Sequence, residues 1–139
     1  MRLSSKTILV TRVTFVVYMC LITYLAFTGR HLPVVDDVDD PLKHTLVYYV
    51  LHMMAFYFAT LLFDFAFPAN LSLSVKIVLL LSYGFGIEVC QGLFTERTFS
   101  LFDLLADTIG ILLYVVSIPL LKQLPWLKHR WYEGHHYNL

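Results

Sequence analysis

The sequence predicts an all-α membrane protein: a bundle of four transmembrane helices with both termini cytoplasmic. Three observations predict it. Of 139 residues, 58% are hydrophobic and 14% charged, whereas soluble domains run at about 45–50% apolar and about 25% charged. Four apolar runs, at 8–28, 44–67, 73–94 and 101–121, each approach the roughly 20 residues needed to cross about 30 Å of hydrocarbon. Lysine and arginine are distributed unevenly around the ends of those runs, which sets an orientation.

The first run follows Arg2 and Lys6 and superficially resembles a signal peptide. It is longer than an h-region of about 7–15 residues and no A-x-A-like site follows, so it reads as an uncleaved spanning helix. Gly29, Pro33 and the acid cluster at 36–40 close it. Pro68, Ala69 and Asn70 separate the second run from the third, a short link that makes the two antiparallel neighbours. Thr95, Glu96, Arg97 and Thr98 link the third to the fourth, in which Pro119 lies near the end where a kink is tolerated. Arg2, Lys6, Arg12, Lys76, Lys122, Lys128 and Arg130 fall on one side; Arg30, Lys43 and Arg97 fall on the other with Asp36, Asp37, Asp39 and Asp40. The basic side is the cytoplasmic one. The whole chain, 1–139, reads as a single domain with an interfacial tail at 122–139, where Trp126, Trp131 and Tyr132 stand among basic residues. His135 and His136 read as an exposed polar tail, and no metal site is expected. Cys20 and Cys90 both lie in apolar runs and read as buried structural thiols without a disulfide.

A net charge of +0 gives no field to attract nucleic acid, and the expected partner is the lipid bilayer. There is no nucleophile motif, no zinc-type histidine pair with an adjacent glutamate and no phosphate-binding glycine loop, so no cofactor is expected. What remains is a set of polar residues inside apolar runs, and intramembrane ionisable groups default to a functional hypothesis. His44, Tyr48 and His52 share one face of the second run at i, i+4, i+8. Gly84, Glu88 and Gln91 share a face of the third, and Asp103, Asp107, Gly110, Tyr114 and Ser117 a face of the fourth. At 1.5 Å per residue, Glu88 lies roughly 9 Å and Asp107 roughly 10 Å from the same end of the bundle, with Tyr48 and His52 about 6 and 12 Å beyond His44. One outward-opening polar pocket, overhung by Arg97 in the link, accounts for these depths.

Each residue also has a structural reading. Asp103 follows Ser100 in the capping-box pattern S-x-x-[DE]. Arg97 could pair with Glu96 or with lipid phosphates, and His52 could be a satisfied bundle histidine. Glu88 and Asp107, as buried carboxylates, must be paired or protonated. Gly84 and Gly110 suit close helix packing, Asp64 reads as a solvated charge at the end of its helix, and the acid cluster at 36–40 as a solvated loop.

Taken together, Glu88, Gln91, Arg97, Asp103, Asp107 and Gly110 follow the spacing E-x-x-Q-x(5)-R-x(5)-D-x(3)-N-x-x-G, which resembles the signature of the VanZ-like family of small membrane proteins. Asp40, His44 and Tyr48 resemble that family's second landmark, so the likeness extends over 40–110, half the chain. Two departures stand out. Asp107 replaces the family's usual asparagine, and Pro41 stands where lysine follows the acid, with Lys43 two positions later. If that asparagine donates a hydrogen bond, Asp107 can do so only when protonated, or would hold a cation instead. The resemblance implies a multi-span bacterial envelope protein of a family named for resistance to the glycopeptide teicoplanin, and implies no reaction.

Four functional classes follow. In the first, the pocket binds an envelope glycan, lipid headgroup or glycopeptide-like ligand through His44, Tyr48, Glu88, Gln91, Arg97, Asp103 and Asp107, with Arg97 meeting an anionic group. In the second, paired carboxylates and a histidine act on a lipid-linked substrate by acid–base or divalent-cation chemistry. In the third, the polar cluster only locks the helices of an accessory subunit together. A transporter is the least supported, since no pair of broken helices is evident.

Overall fold

The computed structural model describes residues 5–28, 41–67, 71–95 and 99–125. It is all-helical, with α1 at Ser5–Thr28, α2 at Pro41–Ala66, α3 at Leu73–Phe94 and α4 at Leu101–Leu121. All four are long and apolar enough to cross a membrane. The last two coincide with the apolar runs. The first two begin earlier than their runs, at Ser5 and Pro41, because polar residues prolong a helix beyond its apolar stretch and proline suits a first helical position, where its missing N–H has no partner to lose. Ser72 caps α3 by accepting from the Val75 N–H at 3.4 Å, and Ser100 caps α4 by accepting from the Asp103 N–H at 3.2 Å.

Cross-helix bonds give the directions. Tyr48 meets Asp103, His52 meets Asp107 and Tyr57 meets Ser117, so α2 and α4 run parallel. Arg12 reaches Ala66 while Tyr18 reaches Ala55, so α1 opposes α2; Thr23 meets Tyr83 and Gln91 meets Ala26, so α1 parallels α3. The chain therefore alternates up and down, and the start of α1 and the end of α4 share one end of the bundle.

The most extensive interface joins α2 to α4. It is close because Gly110 has no side chain: a Cβ there would run into the Met53 carbonyl oxygen of α2. Phe56, Ala59, Phe63, Leu80 and Ile111 form the apolar core. α1 lies at the periphery, held by Phe15 stacked on Phe63 at 4.7 Å and by the Arg12 guanidinium, which donates to the Ala66 carbonyl at 3.0 Å and sits 5.0 Å over the Phe67 ring. That contact satisfies a carbonyl of the last turn of α2, which has no partner within its own helix.

The distribution of polarity is inverted relative to a soluble domain. Val17, Leu46, Val78, Phe85, Leu112 and Val116 face outward, while Thr60, Asp64, Lys76, Glu88, Gln91, Asp103 and Asp107 are all buried. Two expectations are corrected here. Asp64 is no solvated end charge: its side chain is 4% exposed and bonded at 2.7 Å to that of Lys76, which is 0% exposed. Tyr114 completes the group by donating to the other Asp64 oxygen at 2.7 Å. The short link between α2 and α3 folds these two charges, each within the terminal turns of its helix, against one another. Cys20 is also not buried; it faces outward on α1, while Cys90 is half-buried, and both are free thiols.

Candidate functional site

At the end of the bundle opposite the Asp64–Lys76 pair, the polar faces of α2, α3 and α4 converge. The junction of α3 and α4 is the starting point. In a full capping box the Asp103 carboxylate would reach back to the Ser100 N–H. Here that N–H donates instead to Glu88 Oε2 at 3.0 Å. The substitution ties the C-terminal part of α3 to the first turn of α4 and releases the Asp103 carboxylate, which accepts from the Tyr48 hydroxyl at 3.2 Å. One turn further along, His52 Nδ1 and Asp107 Oδ1 are 3.0 Å apart. The Tyr48 and His52 rings lie 4.7 Å from centroid to centroid, so α2 presents them as one block to the two aspartates of α4. Gly84 admits Asp107 to α3: a Cβ there would come within 2.9 Å of Asp107 Oδ2 and 3.1 Å of the Phe56 ring.

Gln91 reaches the other way, its amide donating to the Ala26 carbonyl of α1 at 2.7 Å. Between these groups lies a cavity of about 120 Å³. Its apolar wall is formed by Ile22 and Leu25 of α1, Leu51 and Ala55 of α2 and Ile87 of α3. Its polar lining is Tyr48, His52, Glu88, Gln91 and Asp107. Asp103 stands behind Tyr48 and does not line it. Among the described residues no three His, Cys, Asp or Glu side chains are placed to share a metal ion.

Of the residues singled out in the sequence, Tyr48, Glu88, Gln91, Asp103 and Asp107 are thus brought to one level. Arg97 lies outside the described residues, as do the acid cluster 36–40 and the tail from 126; His44 lies on α2 with its side chain outside the described set. His52, which the sequence leaves evenly balanced between bundle and site, is a central member. Its place was readable from its spacing of four from Tyr48, matched by the spacing of four between Asp103 and Asp107 on a parallel helix. The wall contributed by α1 had no comparable signal, because Ile22, Leu25 and Ala26 look like any lipid-facing residues.

The fold and site define a class: a four-helix bundle of membrane-spanning composition with a small, mostly apolar cavity lined on one side by carboxylates, an imidazole and an amide. The chain is similar to the uncharacterized protein C11E3.10 of the fission yeast Schizosaccharomyces pombe, with 29% identity over 119 residues that cover 84% of this chain and 64% of that protein. The chain therefore spans somewhat under two thirds of this relative's length. No family model matches the chain. No solved structure matches it either.

Proposed function

We propose that this chain is a VanZ-like integral membrane protein whose four helices cross the bilayer with both termini cytoplasmic, and that its cavity opens to the opposite face and binds a small polar group of a membrane-borne ligand. The cavity carries the reading: it lies at one end of the bundle, and its polar lining joins the buried Glu88, Gln91 and Asp107 of α3 and α4 to the half-buried Tyr48 and His52 of α2. Apolar side chains facing outward around a polar interior support insertion, since water would penalise that exterior and lipid would not. The VanZ-like assignment rests on the sequence resemblance. The convergence of Tyr48, Glu88, Gln91, Asp103 and Asp107 gives those spaced residues a common purpose. A link to glycopeptide resistance or to envelope polysaccharide rests on the resemblance alone, and similarity to a yeast protein favours a ligand not restricted to bacterial envelopes.

A second reading, an accessory subunit held together by its polar cluster, draws on a specific observation. Tyr48–Asp103, His52–Asp107 and Gln91–Ala26 each join two helices. The two readings separate on a cavity-filling change. Ala55 lines the cavity, and its carbonyl accepts from the Tyr18 hydroxyl. Ala55→Leu places three further carbons in the space. On the binding reading, species that co-purify with the unaltered protein are lost from the variant while its thermal unfolding is kept or raised. A variant that co-purifies the same species in the same amount would refute the reading.

A further inference from the structure

Resting on the reading that this cavity binds a ligand, we propose that the group it takes is a primary ammonium, presented by the headgroup of a membrane lipid. Size is the first argument. A cavity of about 150 Å³ accommodates a benzene-sized molecule, so the 120 Å³ present here admits about five heavy atoms on the same scale. A glycan or glycopeptide is too large to enter, whereas an aminoethyl group fits.

The hydrogen-bond inventory is the second argument. Glu88, Gln91 and Asp107 are 2%, 3% and 2% exposed, and all three line the cavity. Each spends one end of its side chain inside the protein: Glu88 Oε2 on the Ser100 N–H, Gln91 Nε2 on the Ala26 carbonyl, Asp107 Oδ1 on His52. The remaining side-chain oxygen of each, Glu88 Oε1, Gln91 Oε1 and Asp107 Oδ2, takes no hydrogen bond from any described residue. Among the described residues no fully buried side-chain oxygen or nitrogen is left unsatisfied, so these three oxygens still touch open space, and the cavity is the space that their residues line. It thus presents three acceptors. A primary ammonium carries three N–H donors and no acceptor.

Charge is the third. Among the described residues the lining contains two carboxylates and one imidazole and no lysine or arginine. A phosphate or carboxylate entering this space would face like charge, and an ammonium opposite charge. The apolar wall of Ile22, Leu25, Leu51 and Ile87 suits the methylene carbons that follow the nitrogen, which favours an amine borne on an amphiphile.

The test uses the full chain in nanodiscs made from equal parts of phosphatidylethanolamine, phosphatidylcholine and phosphatidylglycerol, with the retained lipid counted by native mass spectrometry after detergent release. Phosphatidylethanolamine should be retained about tenfold or more over the other two, the ratio expected for charge-assisted hydrogen bonds that the competitors cannot make. Glu88→Gln combined with Asp107→Asn keeps an acceptor oxygen at each position and should bring the three lipids to parity. The headgroup series on the unaltered chain stands whether or not that variant folds. Displacement of the lipid by millimolar ethanolamine, as effective as added phosphatidylethanolamine, would support the ammonium and overturn the lipid as its source. Preference for phosphatidylcholine, whose trimethylammonium could instead lie against the Tyr48 and Phe56 rings, would overturn the assignment while leaving the binding reading standing, as would preference for phosphatidylglycerol. No retention above bulk proportion, together with an inert Ala55→Leu, would remove both.

Discussion

The Asp64–Lys76 pair allows a quantitative test of how the bundle is held together. Lys76 Nζ lies 2.7 Å from Asp64 Oδ1 and 3.4 Å from the Asp64 carbonyl, and Asp64 Oδ2 accepts from Tyr114 at 2.7 Å. The three residues are 0%, 3% and 0% exposed, so solvent offers little screening. Removing one partner of such a pair costs about 3–5 kcal/mol, because the other charge stays buried without the opposite charge it is folded against. With a melting shift of roughly 3 °C per kcal/mol for a domain of this size, Lys76→Met should lower the melting temperature in detergent by about 10–15 °C. Asp64→Leu should do at least as much, since it takes the carboxylate away from a fully buried ammonium. The double variant should recover at least half of the loss, because replacing both ions by apolar side chains of similar volume is often close to neutral. Recovery should stop short of completion, as the Tyr114 hydroxyl then lacks its Asp64 acceptor, worth about 1–3 kcal/mol; adding Tyr114→Phe should restore most of that. Single variants that melt within about 3 °C of the unaltered protein, or a double variant no better than its worse parent, would refute the account.

Two other outcomes are expected. Gly110→Ala should destabilise the bundle by about 1–3 kcal/mol, since its Cβ meets the Met53 carbonyl and only movement of the α2 backbone relieves it, whereas Gly86→Ala, with nothing within 4 Å, should be neutral or gain up to about 1 kcal/mol of helix propensity in chemical or thermal unfolding. With Cys20 and Cys90 replaced by alanine, a cysteine at Thr95 should react with an impermeant maleimide applied from outside and one at Tyr137 should not, and the reverse pattern would invert the cavity along with the topology.

What the sequence made legible follows the reach of its signals. Helical runs separated by Pro68 and by the Thr95 link are local features, and α3 and α4 fall where the apolar pattern places them. Spacing of four on α2 and on α4 is likewise local, and because those helices run parallel it converts directly into the rungs Tyr48–Asp103 and His52–Asp107. Two things escaped. The fates of Asp64 and Lys76 depend on what lies across a hairpin, and a charge one or two turns inside a helix end looks the same whether water or a partner awaits it. The cap of α4 escaped because S-x-x-D specifies both bonds of a capping box, while the structure keeps one and gives the other to Glu88, a residue outside the pattern.

The spacing between the two polar layers bears on which functional classes remain. On α2, Phe56 lies between His52 and Asp64; on α3, Leu80 lies between Lys76 and Glu88; on α4, Ile111 lies between Asp107 and Tyr114. These three side chains are 3%, 1% and 1% exposed and belong to one apolar cluster. Thr60, the buried polar residue at that level, turns its hydroxyl back to the Phe56 carbonyl of its own helix at 2.6 Å. Among the described residues, no chain of hydrogen bonds therefore links the layer of Glu88, His52 and Asp107 to that of Asp64 and Lys76. An ion or proton moving between them would have to cross a layer of close-packed aromatic and aliphatic carbon, where an uncompensated charge is costly. Two separate polar layers suit two separate tasks. The Asp64–Lys76–Tyr114 layer, with each Asp64 oxygen bonded, holds α2, α3 and α4 together, while Glu88, Gln91 and Asp107 of the opposite layer line a cavity. That division argues for a one-sided pocket over a transmembrane path.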